Sequence, residues 1–303
     1  QAVTVPVVLV VDSPLKVRGL HVRFHGAEET KATYTTTSTD GKGNVTIHTH
    51  TAVEHTTITE NSKLLAGRER RGFFFNLGDA VATLFGAGRH QMMKPGEHEY
   101  EIEVVIPANA PPTHTGDRSR VFYELTAQVD VPFGSDLKAT RSFRVAPLPR
   151  SASAVKSVRV RYPDDKGRGF WDSLFAPDVR MELALAADTL STGQSIEGTF
   201  GVQTDQQLDV RAIRVRLVGH EQSQAHGHSD SHEYRQAAVE LATPQRITGA
   251  YSEHFSLNVQ TDGPPTAKGK LFSIDWFVQI ELDVPWARDP KIRAPITLAR
   301  SVE

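Results

Sequence analysis

Leu20, Val22 and Phe24 alternate with His21, Arg23 and His25, and further on Ile213, Val215 and Leu217 alternate with Arg214 and Arg216. A period of two is that of a strand with one buried and one wet face. Tyr100, Ile102 and Val104 repeat the pattern against Glu99, Glu101 and Glu103, introduced by Pro95-Gly96 and closed by Pro107. Val3 to Val11 is a β-rich run in which Pro6, lacking an N–H, points to an edge strand or a bulge. From Thr33 to Thr59 the chain is threonine-rich and alternating, with a hairpin turn predicted at Asp40-Gly41-Lys42-Gly43-Asn44 and a half-buried sheet around it. Long strands are predicted at 119–131 and 271–284, and shorter ones at 137–145, 155–161, 179–187, 196–202, 234–241, 254–259 and 296–298. Helical spacing is scarce: only Leu77, Val81, Leu84 and Phe85 predict a short helix, stopped by Gly86 and Gly88.

The chain also repeats itself. Asp130-Val131-Pro132-Phe133 returns as Asp283-Val284-Pro285-Trp286, and at the same separation Pro111-Pro112-Thr113 with Gly116 matches Pro264-Pro265-Thr266 with Gly269, and Tyr123 matches Trp276. The segment from Leu15 to Gly26 aligns with that from Leu208 to Gly219 in the same apolar phase, which matters because a slip of one residue would turn every side chain to the wrong face. Its separation is larger, so the first copy carries extra sequence, placed at 35–90. Two domain-sized copies follow: residues 1–149, enlarged, and residues 150–303, joined by the semi-rigid stretch at 146–153. The repeated Asp-Val-Pro-aromatic motif ends a long strand at a turn, and its aromatic residue is expected to cover the edge of the core.

Composition narrows the chemistry. With no cysteine, thiolate nucleophiles, disulfides and cysteine metal sites are excluded. A formal charge of -2 gives no general steering toward nucleic acid, and no helix, finger or aromatic RNA platform is recognisable. Arg18, Arg23, Arg211, Arg214 and Arg216 read equally as the wet face of a sheet. No apolar run is long enough for a transmembrane helix. The opening residues read as mature or trimmed sequence, with no basic region ahead of an apolar signal core. A cytoplasmic address is expected, although absence of cysteine does not by itself establish it.

Candidate sites are few. His220, His226, His228 and His232, beside Glu221, Asp230 and Glu233, could ligate zinc or nickel, with His226, His228 and His232 as the metal set, or form an exposed polar loop. His48-Thr49-His50 and His55 occupy a comparable place in the first copy; alternation puts His48 and His50 on one strand face, a pair incomplete as a metal site. Arg68, Arg70 and Arg71 beside Phe73, Phe74 and Phe75 could contact a protein or a membrane surface, with Arg68, Arg70, Arg71, Phe73 and Phe74 as contacts, or be a basic turn entering the core. Nothing resembles a Gly-x-Ser-x-Gly elbow, a phosphate-binding glycine loop or a His-Glu-x-x-His site. The carboxylates of Asp164, Asp165 and the Glu99 face lack partners that would define a reaction. Trp171, Trp276 and Trp286 could stack on sugars, yet the repeat aligns two of them with Tyr123 and Phe133, which favours a structural role.

Glycine and proline turns between strands, without helical pattern, give an all-β chain of two tandem immunoglobulin-like β-sandwich domains. The order of features resembles the arrestin fold family, especially arrestin-domain-containing proteins and their bacterial relatives. The resemblance is carried by Leu15–Gly26, Lys94–Ile102, the proline-rich loop at 107–112, Val121–Ala127, Leu190–Ile196 and the 208–219 match. It covers about residues 3–299 and implies two concave sandwiches, no catalysis, no cofactor, and an adaptor or scaffold role toward receptors, cargo, coat or ubiquitin-ligase components. The tail to Glu303 lacks the Pro-Pro-x-Tyr and clathrin-binding features of eukaryotic members, which points to a bacterial or divergent member. A carbohydrate-binding sandwich and a metal-binding protein are the alternative functions, and peripheral membrane association is a possible addition.

Overall fold

The structure, a computed structural model, describes residues 2–67, 91–146, 156–163, 177–236, 238–242 and 245–299. The first half supplies β1 (Ala2–Val11), β2 (Leu15–Val17), β3 (Gly19–Thr39), β4 (Val45–Gly67) and β5 (Gln91–Met93). It continues with β6 (Gly96–Val105), β7 (His114–Thr115), β8 (Ser119–Asp130) and β9 (Leu137–Phe143). The second half supplies β10 (Val158–Tyr162), β11 (Val179–Leu185), β12 (Thr189–Ser191), β13 (Ser195–Val210), β14 (Ala212–Ala225) and β15 (His228–Arg235). Last come β16 (Val239–Ala242), β17 (Gln245–Asn258), β18 (Ala267–Lys268), β19 (Phe272–Asp283) and β20 (Lys291–Ala299). The fold is all-β, two tandem β-sandwich domains, with no helix among the described residues.

By contact the chain divides into two compact units, one of Gln1–Glu28, His55–Thr113 and Val121–Val145, the other of Glu29–Glu54, His114–Arg120 and Ala146–Glu303. The long strands β3 and β4 therefore serve the first unit with 19–28 and 55–67 and the second with 29–54. In the first unit, β1 pairs antiparallel with β6 in a two-stranded sheet, placing Pro6 opposite Glu101. Among the described residues that sheet has no third strand, and an edge strand tolerates a missing N–H. In the second, one sheet runs β10-β11-β13-β17, and a seven-stranded sheet is ordered β12-β20-β19-β14-β15, with β16 beside β14 and β18 beside β19.

The alternation fixes the core. Leu20, Val22 and Phe24 are buried in the first unit, and Ile213, Val215 and Leu217 in the second. The duplication extends to hydrogen bonds. The Tyr123 hydroxyl donates to the Pro111 carbonyl at 2.8 Å, and the Trp276 indole N–H donates to the Pro264 carbonyl at 2.9 Å. Arg18 N–H donates to Asp130 O, and Arg211 N–H to Asp283 O, both at 2.8 Å. The aligned glycines Gly26 and Gly219 lie flat against those buried rings: an added Cβ would come within 2.4 Å of Tyr123 and 2.8 Å of Trp276. Each ring seats an aromatic whose truncation costs about 3–5 kcal/mol.

Three expectations are corrected. The histidine-rich stretch at 220–233 is not a loop but the β14–β15 hairpin, in register from Val218 opposite Arg235 to Ala225 opposite His228. The repeated Asp-Val-Pro-aromatic motif does not cover the core: Phe133 is 90% exposed and Trp286 100% exposed. The predicted hairpin at 33–59 is present, but residues 35–51 are exposed on both faces rather than one. The helix predicted over 77–85 and the linker residues 147–153 lie outside the described residues.

Candidate functional site

Within the second unit, segments 29–54 and 114–120 meet the β14–β15 hairpin. The hairpin turns on His226-Gly227, whose φ values of 49° and 81° are those of a type I′ turn, matched to the right-handed twist of the strands. Next to it Glu221 is fully buried. The Ser119 hydroxyl donates to its Oε1 at 2.6 Å; the Asp117 N–H and the Tyr234 hydroxyl donate to Oε2 at 2.9 and 2.5 Å. His114 Nε2 meets Ser119 Oγ at 3.1 Å, and the Tyr234 ring stacks on buried Trp276 at 5.9 Å. Three charge-assisted hydrogen bonds thus replace the water that a buried carboxylate loses. Burial, with the donation to Glu221, pushes the Tyr234 phenol above its ordinary value.

The same hairpin grips segment 29–54. Thr30 Oγ1 donates to Gln224 O and Ser223 Oγ to Lys31 O, each at 2.6 Å, and Thr33 N–H donates to Asp230 Oδ2 at 2.9 Å. Arg118 pairs with that carboxylate at 3.2 Å. Burial alone would raise the Asp230 value, but the backbone donations from Thr33 and Ser231 and the charge of Arg118 outweigh it and hold the group below its usual range.

The predicted histidines take separate tasks. His226 donates its backbone N–H to Glu54 Oε2 at 2.7 Å, and its Nε2 meets Val53 O at 3.0 Å. His228 lies flat on Tyr34, centroids 3.6 Å apart and planes 1° apart, with His50 stacked near the same ring at 5.3 Å. His232 pairs with Asp117 at 3.4 Å and packs edgewise on Tyr234. Among the described residues, no group of three or more His, Asp or Glu is positioned to hold a metal ion. The two His-x-His stretches are nevertheless brought together through Tyr34, a residue that sequence reading did not single out. Arg68, Arg70, Arg71, Phe73 and Phe74 lie outside the described residues.

Two further positions are those whose side chains the sequence assigned to the edge of the core. Phe133 in the first unit and Trp286 in the second have φ of 58° and 60°. Their turns are built alike: Val131 N–H donates to Asp136 Oδ1 and Val284 N–H to Asp289 Oδ1, both at 3.1 Å. In each, the residue after the aromatic closes the turn onto that valine's carbonyl at 3.4 Å. Proline followed by a positive-φ residue is a turn in which glycine is the ordinary third residue. A bulky side chain there costs about 1–2 kcal/mol. Neither burial nor backbone geometry accounts for an aromatic residue at these tips. The available signal was the Pro-aromatic pair itself, directly after a strand.

The family model described as Arrestin (or S-antigen), N-terminal domain matches residues 1–149, and that described as Arrestin (or S-antigen), C-terminal domain matches residues 178–302. No curated protein matches the chain. Both matches fall in the order that the internal repeat sets, and together they span most of the sequence; the protein belongs to the arrestin family.

Proposed function

We propose that this protein is a non-catalytic adaptor, built as domains 1–149 and 150–303, that binds a protein partner through the exposed aromatic tips of its repeated turns. The observation that carries this reading is the pair Phe133 and Trp286, both outside the core and both at a backbone conformation that penalises them. Strain that folding does not repay concentrates at functional positions, and aromatic residues are the commonest anchors of protein interfaces. Family membership supports a partner-binding role. Of the three tryptophans behind the sugar-binding alternative, Trp276 is buried and bonded to Pro264, Trp286 is exposed, and Trp171 lies outside the described residues. No helix among the described residues is long and apolar enough to cross a membrane.

The test is quantitative affinity capture from the source organism with the full chain, Phe133→Gly, Trp286→Gly and the double variant. The reading predicts a protein retained by the parent chain and reduced at least about tenfold with the double variant, a change of about 1.4 kcal/mol. Equal recovery by all four chains overturns it.

A further inference from the structure

The β3–β4 ribbon beyond Tyr34 is exposed on both faces, and apart from its turn and its histidines it carries no ionisable side chain from 35 to 53. On one face His48 and His50 stand side by side, ring centroids 6.3 Å apart. Across the ribbon a hydroxyl meets the same atom of each ring: Ser38 Oγ lies 3.2 Å from His48 Nε2, and Thr36 Oγ1 lies 2.9 Å from His50 Nε2. Among the described residues neither Nδ1 has a hydrogen-bond partner. In the tautomer that donates Nε2–H to the hydroxyl, both lone pairs sit on Nδ1. Orientation of a ring through its other N–H is the usual support of a metal-ligating histidine. Two imidazoles sharing one tetrahedral ion have centroids about 5 Å apart, given metal–nitrogen distances of about 2.0–2.1 Å. The observed spacing is longer by roughly 1 Å, within reach of side-chain rotation on an exposed strand.

We propose that His48 and His50 bind a zinc-type divalent cation, and that the ion's remaining positions are filled by the same pair from a second copy of this chain. Four neutral imidazoles give a closed tetrahedral set. Each ribbon face measures about 20 by 10 Å, roughly 200 Å². A stable dimer buries about 800 Å² per partner, so contact of two ribbons alone is too small and association depends on the ion. The absence of opposing charge on the strands lets two copies of this face approach.

The experiment titrates zinc chloride into the metal-free full chain by calorimetry, with sedimentation velocity in parallel. The expected result is one ion per two chains, a doubling of mass, and reversal by EDTA. His48→Ala with His50→Ala abolishes both signals, whereas His226→Ala with His228→Ala and His232→Ala keeps them. Ser38→Ala with Thr36→Val weakens binding about 10- to 100-fold, as loss of supporting hydrogen bonds does. Circular dichroism confirms that these substitutions leave the fold intact. Absence of saturable binding, one ion per chain at unchanged mass, or undiminished binding by the His48→Ala, His50→Ala chain overturns the proposal.

Discussion

Trp286→Gly removes an indole that is 100% exposed and relieves a φ of 60°. An exposed ring contributes no burial to lose, so the hydrophobic part of the change is close to zero. Relief of the left-handed conformation returns about 1–2 kcal/mol, while glycine's larger unfolded-state freedom takes back about 0.4–1 kcal/mol. The net expectation is a gain between about 0 and 1.5 kcal/mol. The turn's anchors, the Val284 N–H to Asp289 bond at 3.1 Å and the Ala287 N–H to Val284 bond at 3.4 Å, involve no atom of the indole. Urea denaturation reads the difference, with far-ultraviolet circular dichroism as the signal because the substitution deletes a fluorophore. A loss of about 2 kcal/mol or more refutes the reasoning, since it shows that the tryptophan packs against something in the folded protein.

Other substitutions probe the interior. Glu221→Gln sets an amide N–H₂ against at least one of the donors Ser119, Asp117 and Tyr234, and it is expected to destabilise by about 1–3 kcal/mol in urea, followed by circular dichroism. A double-mutant cycle with Tyr234→Phe should show non-additivity above about 0.5 kcal/mol. Gly219→Ala drives a Cβ to 2.8 Å from the Trp276 ring and should cost about 1–3 kcal/mol, seen as a lowered urea midpoint. Burial, with the charge of Glu28 adding to it, pushes the Tyr123 phenol from 10.0 up to about 12. Because the folded state favours the protonated phenol, this contribution is complete below pH 10 and is lost as pH climbs through 12. The stability difference between the parent chain and Tyr123→Phe should therefore shrink across that window, by up to roughly 2–3 kcal/mol.

Burial phase was legible in the sequence wherever a strand had one wet face. Leu20, Val22, Phe24, Ile213, Val215 and Leu217 all point inward as their alternation requires. The repeat was legible as well, because Tyr123 and Trp276 are held by the same hydrogen bond to a proline carbonyl. The β14–β15 hairpin was missed because His226-Gly227 is not the usual Asn-Gly turn, and serines and histidines in strands look like loop composition. The Glu221 network was illegible because its partners at 117, 119 and 234 are brought together only by long-range pairing. Phe133 and Trp286 were misread for a different reason: an aromatic residue at the end of an apolar strand has core composition, and only the backbone angle shows that the side chain points away.

The adaptor account is tested most directly by placing a photo-crosslinking phenylalanine analogue at position 286, at 133, and at the exposed turn position 41 as a control, in the chain expressed in its own cells. The account predicts discrete protein adducts of one common mass at 286 and 133 that are absent at 41. Adducts at 41 equal to those at 286, or none at either aromatic tip, contradict it.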